Sequence, residues 1–187
     1  MRHVRAAAIG VLLLPACRTA GGARYVHPNV DLAALRTVAV LPFENLTQDR
    51  AAGDKVQKVF ITELLSLEAF QVVEPGTVVK ALRADRIESV AALGPAEIKH
   101  LGEALKADGL FMGSVVDFAE TRSGTAPAPE VTIELRLVET QSGVTVWSSN
   151  RTRSGASASA RLFGIGGESL TQAAREVIRE QLGTLVN

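Results

Sequence analysis

The chain reads as a single α/β domain with its layers built on one sheet, and three patterns predict it. Between Thr37 and Val116, short apolar runs bounded by turn residues alternate with stretches whose apolar residues recur at helical spacing. From Val131 to Leu137 the pattern changes: Val131, Ile133, Leu135 and Leu137 alternate with Thr132, Glu134 and Arg136, which describes a sheet strand with one wet face. An amphipathic run from Ser169 then closes the chain. With 187 residues, 47% of them hydrophobic and 21% charged, the sequence holds enough apolar material for one compact domain and not for two.

The first strand is Thr37 to Asn45, TVAVLPFEN, where Val38, Val40 and Leu41 supply the buried run and Pro42 ends regular pairing because it has no N–H to donate. Asn45 to Arg50 reads as loop. Asp54 with Gln57 three residues on stands at capping-box spacing, and Val56, Val59, Phe60, Leu64 and Leu67 then share one helical face. Phe70 to Glu74 is a second strand stopped by Pro75-Gly76, and Thr77 caps a short helix holding Val78, Val79 and Leu82. Pro95 suits a first helical turn, where its missing N–H is no loss. Ile98, Leu101, Gly102 and Leu105 follow on one face, with Gly109 placed to end the helix in a left-handed conformation.

Leu110 to Val116 is apolar almost throughout and reads as a central strand. Thr121 to Pro129, TRSGTAPAP, reads as a Pro-rich loop, and Thr140 to Gly143 as the tight connection of a hairpin into Val144 to Ser148. Val40, Leu110, Ile133 and Leu135 are expected in one sheet, covered by the helices that carry Phe60, Leu101 and Val177. The last helix begins at Ser169, with Gln172 at capping-box distance, and buries Leu170, Ala174, Val177, Ile178, Leu182 and Leu185. Before it lies Ser154 to Gly167, a low-complexity stretch with Leu162, Phe163 and Ile165 in its middle. Apolar residues with no regular element to bury them are candidate anchors for a partner's pocket, so these three are the expected partner-binding residues.

Composition removes several function classes. Aromatic residues make up only 4% of the chain, too few for a stacking platform, and 20 basic residues balance 20 acidic ones without a long basic run. Nucleic acid is therefore not an expected partner. His27 and His100 lie far apart, and no cysteine accompanies them at ligand spacing, so neither a metal nor another cofactor is expected. Gly164 to Gly167 lacks the spacing and the lysine of a phosphate-binding loop. Asp108, Asp117 and Glu120 have no base or nucleophile beside them in sequence. The chain is not expected to be an enzyme.

The N-terminus says where the domain lives. Arg2 and Arg5 precede an unbroken apolar run from Ala6 to Leu14, too short to cross a membrane as a helix, and Leu14, Pro15 and Ala16 lead into Cys17, the one cysteine of the sequence. This segment resembles a bacterial lipoprotein signal, whose lipobox sets Leu three residues and a small residue one residue before the lipidated cysteine; Leu14 and Ala16 occupy those positions, with Pro15 between them. The resemblance implies lipidation at Cys17. Residues 1–16 are then the signal peptide, 17–34 the lipidated residue and its tether, and 35–187 the domain. Arg18 after the cysteine, in place of the aspartate of inner-membrane retention, points to the outer membrane and its periplasmic face. Cleavage leaves 18 basic against 20 acidic residues, so lipid and not charge must hold the protein there.

Val38 to Asn45, Phe70 to Glu74, Ala107 to Val115 and Leu135 to Trp147 occur in an order that resembles the CsgG and LpoB group of outer-membrane lipoproteins, over roughly residues 37–185. The resemblance implies a fold like the N-terminal domain of TolB, a mixed sheet flanked by helices. It also implies a non-catalytic binding or assembly factor in the periplasm. LpoB-like members dock on a penicillin-binding protein and stimulate peptidoglycan synthesis; CsgG-like members assemble into a ring that forms a secretion channel, which makes oligomerisation and a secretion or appendage component the alternative. Transmembrane strands need roughly ten alternating residues each. Neither Thr121 to Pro129 nor Ser154 to Gly167 offers two of them, and the segment from Arg18 to Leu35 is short for a reach across the periplasm.

Overall fold

A computed structural model describes residues 22–123, 126–155 and 168–185. Within them seven strands form one mixed sheet in the order β1-β7-β6-β5-β2-β4, with β3 paired to β5. The strands are β1 Gly22–Val26, β2 Thr37–Val40, β3 Glu44–Asn45, β4 Gln71–Val72, β5 Gly109–Ser123, β6 Ala126–Glu139 and β7 Thr145–Ser154. The helices are α1 Ala52–Ser66, α2 Pro75–Ala84, α3 Pro95–Leu105 and α4 Leu170–Gly183. β2 runs parallel to β4 and β5, whereas β5, β6, β7 and β1 follow one another antiparallel. This is the mixed sheet flanked by helices that the sequence predicts.

Alternation of side chains across the sheet splits the interior in two. Val38, Val40, Phe111, Val115, Ile133, Leu135 and Leu137 meet Val56, Phe60 and Leu64 of α1 and Val177, Ile178 and Leu182 of α4. On the other face Ala39, Leu41, Leu110 and Met112 meet Val78 and Leu82 of α2 and Ile98, Leu101 and Leu105 of α3. Leu110 and Leu101 thus lie across the sheet from Val40, Ile133 and Leu135, not on one shared face. Phe111 holds the larger core together, with ring centroids 5.1 Å from Phe60 and 6.4 Å from Trp147. Gln181, fully buried, reaches from α4 to donate to the Ile133 and Ser149 carbonyls at 2.9 and 3.0 Å.

Several local expectations change. The described residues between Thr121 and Pro129 do not form a Pro-rich loop: β5 and β6 stay paired out to Ser123 opposite Ala126. Pro127 and Pro129 are tolerated because they stand opposite Arg122 and Glu120 at non-hydrogen-bonded pairs, where the missing N–H points away from β5. Gly22 to Val26, read as part of the tether, pairs with β7 from Gly22 opposite Arg151 to Val26 opposite Trp147. The α1 capping box does not form, since the helix starts at Ala52 behind Ala51, whose N–H is accepted by the Asp49 carboxylate at 2.9 Å. Pro95 does open α3, but Lys106 and not Gly109 takes the left-handed conformation, with φ of 52°. Gly109 instead opens β5. α2 begins at Pro75, two residues before Thr77, and Val79 turns to solvent. The Ser169 and Gln172 capping box is present.

Candidate binding face

Helices α2 and α3 cover β2, β4, the start of β5 and Val138 at the end of β6, and among the described residues they leave the same face of β1, β7 and the rest of β6 open. That uncovered area is the wet face announced by Thr132, Glu134 and Arg136, and β7 adds Ser148, Asn150 and Thr152 to it through the register of Arg136 opposite Ser148 and Glu134 opposite Asn150. β1 extends it with Tyr25, opposite Ser148. Against the turn at Val90 and Ala91 the face deepens into a groove of about 380 Å³, whose other walls include Glu44, Met112 and Ser114.

Most polar groups in the groove are satisfied locally. Asn150 Nδ2 donates to Glu134 Oε1 at 2.6 Å, Ser114 Oγ donates to Glu44 Oε2 at 3.3 Å, and the Thr132 and Thr152 hydroxyls lie 3.0 Å apart. Arg136 is half-buried, and its guanidinium has no hydrogen bond or ion pair among the described residues. Tyr25, 45% exposed, stands edge-on to His27 with centroids 6.4 Å apart. Chemically this is a surface that can hydrogen-bond a polypeptide and offer it the Arg136 cation, with Arg24 at its β1 rim and an apolar corner at Val90, Ala91 and Met112. Neither Ser114 nor Ser148 is hydrogen-bonded to a histidine. Among the described residues no group of three His, Cys, Asp or Glu side chains could hold a metal, and no helix is long and apolar enough to cross a membrane.

The remaining acidic and basic groups do structural work. Asp108 Oδ2 accepts the N–H groups of Arg36 and Thr37 at 3.0 and 2.8 Å and so fixes the entry into β2. Glu63, buried on α1, meets Arg175 at 3.2 Å and Arg179 at 2.6 Å on α4. Arg153 on β7 holds Glu168 at 3.0 Å and Glu176 at 2.7 Å, and Arg151 lies 3.5 Å from Glu180. Lys55, 2.8 Å from Asp49, holds that carboxyl below the usual carboxylate range, with the Ala51 N–H adding to the effect. His100 is mostly exposed, 3.4 Å from Asp85. Asp117 and Glu120 are exposed on the outer half of β5, about 30 Å and more from Asp108 along an extended strand, so the three carboxylates do not form a site.

The residues singled out from the sequence, Leu14, Pro15, Ala16 and Cys17 at the N-terminus and Leu162, Phe163 and Ile165 before α4, lie outside the described residues. The groove was not anticipated as such. The sequence carries the alternation of β6, but a groove arises only when β1 extends the sheet beside the turn at residues 90–92.

Residues 29–187 match the family model of the curli production assembly/transport component CsgG. No curated protein matches the chain. Among solved structures, the PelC dodecamer from Paraburkholderia phytofirmans is similar at 20% identity with a TM-score of 0.61, covering 88% of this chain and 95% of that one. Lipoprotein GNA1162 from Neisseria meningitidis is 16% identical with a TM-score of 0.56, covering 80% and 99%. The hypothetical protein CT253 from Chlamydia trachomatis is 12% identical with a TM-score of 0.52, covering 81% and 95%. At these identities the likeness is one of fold.

Proposed function

Since the chain belongs to the CsgG family, we propose that it is a non-catalytic lipoprotein of the outer membrane that serves in the periplasm as an assembly factor for an envelope complex. The observation that carries this reading is the family match across residues 29–187, which spans the whole described sheet apart from β1. The open face, with its hydrogen-bonding groups and a cation over a broad polar surface, suits the docking of a polypeptide.

The anchor in this reading is lipid on Cys17. Because β1 begins at Gly22, the tether is five residues long and spans at most about 18 Å. The domain therefore sits close under the membrane. That closeness favours a ring-forming component at the membrane over an LpoB-like activator reaching a penicillin-binding protein, and the PelC dodecamer lends the ring a precedent on this fold.

Fractionation of the envelope tests the proposal. The wild-type lipoprotein is expected with the outer membrane, and Cys17→Ser in the soluble periplasm. Recovery of the wild type as a soluble periplasmic protein, or of Cys17→Ser still in the outer membrane, would overturn the anchor.

A further inference from the structure

Two of the sheet edges left unpaired among the described residues fit each other. The first is the outer edge of β1. His27 N–H donates to the Val146 carbonyl at 2.8 Å, which makes His27, Tyr25 and Ala23 the residues bonded to β7. By alternation the backbone groups of Gly22, Arg24 and Val26 face outward. The second is the far half of β5. β3 covers β5 only at Ser114 and Val115, with Leu46 N–H closing on the Val115 carbonyl at 2.9 Å. Past that point no described strand lies beside it. Since Pro127 and Pro129 cannot donate to β5, their pairs with Arg122 and Glu120 are the non-hydrogen-bonded ones, and Phe118 opposite Val131 falls in the same alternation. The N–H and C=O groups of Phe118, Glu120 and Arg122 therefore face the open edge.

The other edge of the same ribbon is closed to pairing among the described residues. β7 ends at Ser154, opposite Glu130, and beyond it the outward positions of β6 are Pro129 and Pro127, neither of which has a donor. One edge of the ribbon is blunted and its opposite edge is fully armed.

We propose that copies of this chain join head to tail by strand addition, the outer edge of β1 in one copy pairing antiparallel with the outer half of β5 in the next, Arg24 opposite Glu120. This deepens the ring-forming reading above and rests on it. In that register every outward pair is hydrogen-bonded: Gly22 with Arg122, Arg24 with Glu120 and Val26 with Phe118. Opposite residues share a sheet face, so an exposed arginine meets an exposed glutamate, and Val26 meets Phe118, on the side of the sheet that carries α1 and α4. Within one chain β1 already runs antiparallel to β5. The contact therefore keeps neighbouring copies in a common orientation, as a shared membrane requires, and joins two different surfaces, the arrangement that repeats from copy to copy.

The test is an engineered disulfide in the full-length lipoprotein, extracted from oxidised membranes. Residues of a hydrogen-bonded antiparallel pair have Cα atoms about 5.5 Å apart, within disulfide reach. Inside one copy, β1 and β5 are three strand spacings apart, about 14 Å, so the bond can form only between copies. The double variant Arg24→Cys/Glu120→Cys is expected to give a ladder of covalent multimers containing a peptide that links positions 24 and 120, and neither single variant is expected to form a 24–24 or 120–120 dimer. Glu120→Pro, which removes the central outward donor without touching the β6 ladder, should lose the multimer and keep its melting temperature. A multimer that forms without the 24–120 link, or with a like-to-like link, overturns the edge pairing and leaves the ring reading standing; a wild type extracted as a monomer overturns both.

Discussion

Glu63 on α1 accepts a hydrogen bond from Arg179 Nε on α4 at 2.6 Å, across 116 residues of sequence, and it does so at the rim of the larger core where the residue is only 7% exposed. Arg175, one turn earlier, approaches the second carboxylate oxygen at 3.2 Å. The two helices that cover one face of the sheet are thus tied to each other as well as to the strands. Removing the carboxylate leaves two guanidinium groups on side chains 46% and 64% exposed, which water can serve. Glu63→Ala should lower stability by about 1–2 kcal/mol, read from chemical denaturation. An unchanged midpoint would show that the pair contributes nothing.

Leu135 is buried on β6 under the two helices. Leu135→Ala should cost about 2–5 kcal/mol in the same measurement. A loss below 1 kcal/mol would mean that the strand faces the other way.

α3 approaches the turn after β6 so closely at Gly102 that a Cβ there would collide with the Thr140 side chain. Thr140 cannot retreat freely, since its hydroxyl donates to the Ala107 carbonyl at 2.7 Å. Gly102→Ala should destabilise by about 1–3 kcal/mol through overpacking. Retention of the wild-type melting temperature would contradict the close contact.

The Lys55 ammonium, and after it the Ala51 N–H, lower the Asp49 carboxyl from its ordinary value of 3.8. A carboxyl depressed by folding lends stability above its unfolded value and loses it as pH falls through the folded one. NMR titration should find Asp49 protonating below 3.8, and Lys55→Met should move it back up. A wild-type titration at or above 3.8 would remove Lys55 as the cause.

Leu162, Phe163 and Ile165 remain proposed partner contacts on sequence grounds, as apolar residues set among glycine and serine. Their triple replacement by serine should leave thermal unfolding unchanged and reduce recovery of the envelope complex. If the variant unfolds early, the three belong to the core; if recovery stays at the wild-type yield, binding lies elsewhere.

What could be read in advance follows physical contrast along the chain. α1, α3 and α4 mark their buried faces with large apolar residues at helical spacing, and each was legible, down to Ser169 and Gln172 at the start of α4. β1 was not, because its first four residues are exposed and only pairing with β7 makes them a strand. The outer half of the β5–β6 hairpin was hidden by Pro127 and Pro129, which argue for a loop unless both nitrogens are known to face away from β5. Of the binding face, the alternation of Thr132, Glu134 and Arg136 gave the wet side, while the groove needed β1 and the turn at residues 90–92, which are distant in sequence. The Glu63 pair left a trace in the four-residue spacing of Arg175 and Arg179, one helical turn apart, but nothing in the sequence joined them to α1.

The central claim, a lipid-anchored protein that works as an assembly, is tested most directly by the native mass of the full-length lipoprotein taken from outer membranes in mild detergent. The account predicts a discrete species of many identical protomers, each carrying acyl chains on an N-terminal Cys17. A single protomer, or chains without lipid at Cys17, would contradict it.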